Sequence, residues 1–191
     1  MAVAIGTAVQ AQTLESSSDF PTGYLVTNYY DRSNTIQSID GVLYLISDDI
    51  PIVLVKYPPM NPREEFEVPS SVRRISNNAF QDCRNLKEIV MPASLQSLGE
   101  QAFLNCTGLT GIAVPNGTTR IGKKAFQGCT NLTNVVIPET VERIESLIFM
   151  DCSLDMKVWV EKGSKAEEWC RENGYSIVYM DGSVPPDQED F

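Results

Sequence analysis

The sequence predicts an α/β solenoid: a right-handed superhelix of stacked 23-residue repeats with a helix-strand cap at its C-terminus. The main observation is a fixed spacing of 23 residues through the middle of the chain, which falls in the range of stacked repeat proteins. The second is a helix-start signal directly after the last copy, at Ser164. The spacing is carried by three columns: Pro69, Pro92, Pro115 and Pro138; Phe80, Phe103, Phe126 and Phe149; and Cys83, Cys106, Cys129 and Cys152.

Each repeat begins with a strand and then turns back. In the second copy, Leu86-x-x-Ile89-x-Met91 has the strand pattern of a leucine-rich repeat, and Pro92 turns the chain because proline lacks a donor. Leu95 and Leu98 line the next side. Residues 100–106 contain no helix breaker, so we expect one short helical turn there. At its exit we expect positive φ angles in one column, Asn85, Gly108 and Asn131.

The four regular repeats occupy residues 68–160, and residues 24–67 predict degenerate N-terminal repeats. There, backward steps of 23 residues still reach apolar side chains, although the proline and cysteine columns are lost. Atypical outer repeats are expected where a solenoid is capped. The predicted equivalents of Ile89, Phe80 and Ile75 are Phe66, Tyr57 and Ile52, and one step earlier a strand is predicted around Leu43 and Leu45.

Residues 161–180 predict a cap over the open end of the stack. Ser164-Lys165-Ala166-Glu167 has the pattern of a capping box, and Gly174 is placed to end the helix. Alternating apolar residues from Tyr175 to Tyr179 then predict a final strand. Residues 181–191 are acidic and contain two adjacent prolines, which predicts a disordered tail.

Residues 1–23 predict an export-signal remnant followed by a flexible lead-in. Residues 2–11 are small and apolar, and Val9-Gln10-Ala11 fits a signal cleavage site. The basic segment that normally precedes such a stretch is missing. An alanine-rich, disordered N-terminus is therefore the other interpretation.

Charge and composition argue against several classes of function. The net charge of −10 divides into −6 for residues 1–67, +1 for 68–160 and −5 for 161–191. A nucleic-acid partner needs a basic contact face, so we expect none. No apolar run is long enough to span a bilayer, so we expect no membrane insertion.

We expect no enzymatic activity, no cofactor and no metal site. The chain has no histidine, and no cysteine pair has zinc-ligand spacing. Four of the five cysteines share the repeat column, which is typical of small buried side chains. Neighbouring rungs of a parallel sheet lie about 5 Å apart, so an occasional disulfide between rungs stays open.

One motif carries a family resemblance: Ile121-Gly122-x-x-Ala125-Phe126-x-x-Cys129-x-x-Leu132-x-x-Val135-x-Ile137-Pro138. It recurs in the other copies and resembles the BspA-like leucine-rich repeat family of bacterial surface proteins, over roughly residues 35–180. Glu145, Ile148 and Asp155 depart from the pattern in the last repeat. The resemblance implies a secreted or cell-surface protein, adhesion roles for some members, and no catalytic residues.

Two outward rows are candidate contact surfaces. The first is Val90, Ala113, Val136 and Trp159, with Lys157 beside it, because exposed aromatic and apolar side chains anchor interfaces. Packing of Trp159 against the cap is the other interpretation. The second is the basic row Arg74, Ser97, Arg120 and Arg143, which could engage an acidic glycan or be a solvated face balanced by Glu100 and Glu145.

These observations predict an adhesin-like interaction module that binds a protein or glycan partner outside the cell. The alternative is a structural or accessory domain of a surface assembly with no dedicated ligand. The sequence does not indicate an oligomeric state.

Overall fold

The computed structural model describes residues 34–185 and shows a β-solenoid of about six turns with a short C-terminal helix. The predicted solenoid with its cap is confirmed. The predicted export-signal remnant and lead-in at 1–23, and residues 186–191 of the predicted tail, lie outside the described residues. No helix within 34–185 is long and apolar enough to cross a membrane.

The strands are short, and one helix follows the last regular repeat. In chain order the elements are β1 (Asn34–Ile39), β2 (Val42–Ser47), β3 (Ile50–Lys56), β4 (Glu65–Glu67), β5 (Arg74–Ile75), β6 (Glu88–Val90), β7 (Ser97–Leu98), β8 (Gly111–Ala113), β9 (Arg120–Ile121), β10 (Asn134–Ile137), β11 (Arg143–Ile144), β12 (Lys157–Val160), α1 (Lys165–Glu172) and β13 (Ser176–Tyr179).

Regular repeats contribute parallel strands to two sides of the solenoid. Sheet 1 has seven strands in the order β1-β2-β3-β5-β7-β9-β11. Sheet 2 has four strands in the order β13-β12-β10-β8, and β4 and β6 form a separate parallel pair. The predicted strand column lies in sheet 2, where Ile112, Val135 and Val158 are opposite one another. The two-residue strands of sheet 1 have no counterpart in the sequence predictions.

The segment predicted as a helical turn forms successive β-turns instead. Leu104 N donates to Gln101 O (3.0 Å) within the segment, whereas Phe103 N donates to Ala125 O (2.7 Å) on the next rung. A helix would keep both bonds inside one repeat. The chain turns through left-handed residues in two columns: Asn78, Gln101, Lys124 and Leu147; and Asp82, Asn105, Gly128 and Asp151.

The column expected to have positive φ angles does something else, so that prediction is wrong. Asn85 and Asn131 donate from Nδ2 to the preceding rung, at Asn61 O (3.2 Å) and Thr107 O (2.8 Å). Gly108 is required for space, because a Cβ there would lie 2.4 Å from a backbone oxygen of the preceding rung. This column therefore joins neighbouring rungs rather than reversing the chain.

The core is a continuous stack of aromatic rings along the solenoid axis. Phe103 lies between Phe80 and Phe126, with ring centroids 4.9 and 5.5 Å away and near-parallel planes. Tyr57 extends the stack at one end, with its ring 5.2 Å from Phe80. At the other end Phe149 meets Tyr175 edge-on at 5.4 Å. Each ring is buried only because the next rung covers it.

The N-terminal rungs differ from the predicted pattern in two ways. Leu54, not Ile52, is the equivalent of Ile75, because these two residues pair across β3 and β5. The strand predicted around Leu43 and Leu45 exists as β2, but it pairs antiparallel with both β1 and β3. The end of the stack is thus closed by an antiparallel meander. Tyr57 and Phe66 do continue their columns, confirming those equivalences.

The last repeat keeps its backbone despite its departures from the motif. Glu145 N donates to Ile121 O (3.0 Å), as Gly122 N does to Leu98 O (3.0 Å) one rung earlier. Asp155 is exposed where the other copies have leucine, and the neighbouring Met156 is buried in its place. Met156, expected on the outward face, therefore faces the core.

The C-terminal cap follows the predicted signals. Glu167 N donates to Ser164 Oγ (3.1 Å), and Gly163 N donates to the Glu167 carboxylate (2.6 Å). Gly174 follows α1 with φ +73°, and β13 pairs parallel with β12. Ala166 and Cys170 are buried against the last rung.

We expect Phe103→Ala to lower the free energy of unfolding by about 3–5 kcal/mol, because it removes one ring from a buried stack and leaves a cavity. Urea denaturation followed by circular dichroism measures the change. The exposed Gln96→Ala on the same repeat is the control, with an effect within about 0.5 kcal/mol. A loss under 1 kcal/mol for Phe103→Ala would contradict this account of the core.

The cap predicts a pH dependence centred on Glu167. Burial raises the pKa of this carboxyl, but hydrogen bonds from Tyr179, Gly163 and Arg171 lower it further, so the net pKa lies below its ordinary 4.5. A lowered folded-state pKa gives stability that is complete above pH about 4.5 and is lost as the pH falls through the folded-state value. We expect the melting-temperature gap between wild type and Glu167→Gln to shrink below that pH. A gap that stays constant from pH 7 to 3 would rule this out.

Candidate binding faces

The outward face of sheet 2 carries most of the first predicted row. Val136 lies opposite Ala113 on β8 and opposite Trp159 on β12. Val90 is 61% exposed but lies on β6, in the separate ladder with β4, opposite Glu67. The structure therefore aligns three of the four residues on one sheet and puts Val90 beside an acidic neighbour.

Trp159 is half-buried rather than fully exposed. Its partner on the far side is Val178 of β13, which is itself only 8% exposed. Lys157, in contrast, is exposed between Asn134 and Ser176 on the adjacent strands. Trp159 thus lies against the cap strand, and only part of its ring is open to a ligand.

The N-terminal end of this side is acidic, which the sequence predictions did not single out. Glu65 lies opposite Glu88 across β4 and β6, and both are exposed. Glu64 is neutralised by Lys87, whose Nζ is 2.8 Å from its carboxylate. Four glutamates at 23-residue and adjacent positions, Glu64, Glu65, Glu67 and Glu88, are the signal that could have revealed it.

The basic row lies in register on the outward face of sheet 1, but its members differ electrostatically. Arg74 pairs with Ser97, Ser97 with Arg120, and Arg120 with Arg143 across adjacent strands. One carboxylate oxygen of Glu145 accepts from Arg120 and lies 3.5 Å from Arg143 Nη2. The predicted balancing role of Glu145 is therefore seen. Glu100 makes no ion pair with any residue in 34–185.

Arg74 is the arginine of this row that forms no ion pair within the described chain. It borders an open groove of about 220 Å³ that contains no carboxylate. A second open groove, of about 300 Å³, lies between β11 and α1 beside Trp169. The lining residues are Ile52, Val53, Arg73, Arg74, Gln96 and Ser97 in the first, and Glu142, Arg143, Ile144, Lys165, Glu168, Trp169 and Glu172 in the second.

The cysteine column lies in the core as free thiols. Cys106 Sγ donates to Phe80 O (2.9 Å), and Cys129 Sγ to Phe103 O (3.1 Å), so each thiol bonds to an earlier rung. All five cysteines are free, and no disulfide joins the rungs. Burial raises the pKa of Cys106 well above its ordinary value and raises that of Cys152 to about 12. Thiols held in the neutral form are poor nucleophiles and poor metal ligands.

No group of three or more potential metal-ligating side chains is found in the part of the chain that the structure describes. Both grooves are open, and the outward rows present side chains on a surface rather than in an enclosed pocket. Such an arrangement can bind a partner through several weak contacts, as solenoid surfaces do.

Comparison with known proteins identifies the repeats. The family model described as "BspA type Leucine rich repeat region" matches in six copies over residues 61–173. The chain belongs to the BspA-type leucine-rich repeat family. The predicted resemblance is therefore confirmed. No curated protein matches the chain.

Solved structures include similar BspA-type and other leucine-rich repeat proteins of bacteria. A T. pallidum leucine-rich repeat protein is 32% identical, with a TM-score of 0.54, over 59% of this chain and 54% of its own. A leucine-rich cell surface protein of Faecalibacterium prausnitzii is 30% identical, with a TM-score of 0.52, over 70% of this chain and 41% of its own. A Bacteroides capillosus leucine-rich repeat protein shares the fold at 21% identity, with a TM-score of 0.58. The chain thus spans about half or less of the first two.

We expect the native protein to react very slowly with a disulfide reagent such as DTNB at pH 8, because the thiols are buried and their pKa values are raised. Cys170, like Cys152, has its pKa raised to about 12 by burial. In 6 M guanidinium all five cysteines should react within the mixing time. Rapid native-state reaction of one equivalent, lost in Cys152→Ser, would show that this half-buried thiol is open to solvent and would contradict the prediction.

Proposed function

We propose that this chain is a secreted or cell-surface interaction module that binds a protein or glycan partner without covalent chemistry. The observation that carries the proposal is the aligned outward row Ala113, Val136 and Trp159 on sheet 2, with Lys157 exposed beside it. Apolar and aromatic side chains at the centre of a flat face, flanked by a charge, have the composition of binding interfaces.

The proposed location outside the cytoplasm rests on family membership and on one relative. The Faecalibacterium prausnitzii protein is described as a cell surface protein, and the similar segment covers 70% of this chain. An acidic chain with net charge −10 and a neutral repeat block is compatible with a protein or glycan partner and unfavourable for a nucleic acid.

Binding rather than catalysis is also supported by the reactive groups that the chain contains. The cysteines are buried, and those whose pKa is perturbed are shifted upward, away from the reactive thiolate. The sequence has no histidine to act as a general base.

A structural or accessory domain without a dedicated ligand is the second candidate. It is favoured by the position of Trp159 against the cap strand, since a residue that completes the cap needs no partner. In that case the outward rows would be solvated surface, and only core substitutions would change the behaviour of the protein.

The two functions are separated by a binding screen of the purified chain from Gln12 onward against extracellular-matrix proteins, mucins and a glycan array at physiological salt. We expect a saturable interaction that is at least tenfold weaker in Lys157→Ala and in Trp159→Ala, because both alter the same outward row. The exposed Lys123→Ala, outside that row, is the control and should bind as wild type does.

Melting temperatures of all variants must accompany the screen, because Trp159→Ala could loosen the cap, whereas Lys157→Ala removes an exposed side chain. Retained binding in both row variants would move the site to another face. Absence of any interaction across the panel by a folded protein would favour the accessory domain.

A further inference from the structure

The last regular repeat exposes three apolar side chains on the turn side of the solenoid. They are Leu147, which is 46% exposed, Met150, which is 40% exposed, and Leu154, which is fully exposed. Leu147 and Met150 are the ends of one β-turn, closed by a bond from Met150 N to Leu147 O (3.2 Å). We call these three residues the turn patch.

The apolar character of the turn patch belongs to this repeat alone. The nine equivalent positions in the other regular repeats hold polar residues or glycine, with one leucine among them. They are Asn78, Gln101 and Lys124; Gln81, Leu104 and Gln127; and Asn85, Gly108 and Asn131. Folding of the repeat therefore does not require apolar side chains there.

The fold does not account for the turn patch, and at one position opposes it. Leu147 has φ +61°, a left-handed conformation that asparagine tolerates better than leucine. Leu154 contributes nothing to the core, because Met156 fills the space left by the missing leucine of that column. Exposed apolar residues that do not stabilise the fold, gathered in eight residues of chain, are typical of a contact surface.

Charge indicates what kind of partner fits. The turn patch is flanked by two exposed carboxylates, Asp151 and Asp155. Residues 139–172, the last repeat and the cap, contain nine acidic and five basic residues, whereas residues 70–138 contain three acidic and seven basic. The apolar residues thus lie in the acidic part of an otherwise basic repeat array.

We propose that the turn patch is a docking surface for a partner protein that presents apolar side chains surrounded by lysine and arginine. Complementary charge at the rim of an apolar contact steers such a partner and excludes acidic ones. An anionic membrane surface would be repelled by Asp151 and Asp155, and a second copy docked patch to patch would oppose its own carboxylates. This surface is separate from the outward row of sheet 2, so the inference goes beyond the proposed function.

The repeats themselves supply the test variant. Leu147→Asn, Met150→Gln and Leu154→Asn together restore the residue types of Asn78, Gln127 and Asn131 in the same columns. Each replacement is already accommodated by the same backbone one or more rungs away, so the triple variant should fold. The control is Met60→Gln, which removes an equally apolar side chain that is 80% exposed on another rung.

The probe is a fluorescent 14-residue peptide of leucine and lysine with leucines at helical spacing, titrated at physiological salt and followed by anisotropy. We expect saturable binding to the wild type and to Met60→Gln, and at least tenfold weaker binding to the triple variant. Trp159→Ala should leave peptide binding unchanged, which separates this surface from the outward row of sheet 2.

Two comparison peptides and one assembly measurement complete the test. A leucine-glutamate peptide of the same pattern and a lysine-serine peptide without leucine should each bind at least tenfold more weakly. Equal binding of either one, or of the triple variant, would overturn the proposal. So would a wild-type dimer in sedimentation velocity that the triple variant abolishes, because the occupant would then be a second copy.

Discussion

The hydrogen bonds between successive rungs are the constraint on which the rest of this structure depends. No rung has a core of its own: Phe103 is buried because Phe80 and Phe126 cover its two faces. The backbone makes this possible by directing alternate N–H groups to the next rung, as Phe80 N does to Ala102 O (2.7 Å) and Asp82 N to Leu104 O (2.8 Å). Left-handed residues at Asn78 and Asp82 bracket these donors. Stability is therefore a property of neighbouring rungs together, and the two ends need different solutions.

Those solutions differ for a physical reason. At the N-terminal end the antiparallel meander β1–β3 continues sheet 1 and places Val42, Tyr44 and Ile46 over the first rung. At the C-terminal end a helix and a parallel strand are used, and the stacked pair Trp169 and Tyr175 covers Phe149. Both ends bury the last aromatic ring of the column, which would otherwise present an apolar face to water.

With the columns buried, the chemistry available for function is confined to the outward side chains, and these vary from rung to rung. Arg120 and Arg143 share Glu145, so much of their charge is neutralised within the protein, whereas Arg74 borders a groove without a carboxylate. The last repeat is the most divergent: it contributes Glu145 to the basic row and apolar residues to the turn side, while its backbone bond to Ile121 is unchanged. A repeat scaffold allows this, because an outward residue can change without affecting the ladder beneath it.

The sequence by itself determined the period, the buried columns, the cap and the family, because side-chain burial repeats every 23 residues and that spacing is visible without coordinates. Only the tertiary structure decided where the backbone donors go. A two-residue strand such as Arg74–Ile75 is too short to show a period, and a turn whose N–H groups bond to the next rung has the same composition as one that bonds to itself. The same holds for the contact surfaces: the sequence aligned Val90 with Trp159, but hydrogen bonding put Val90 in a different ladder. Exposure of Leu154 likewise followed from Met156 entering the core, a choice that depends on the space between two rungs and not on the order of residues in one.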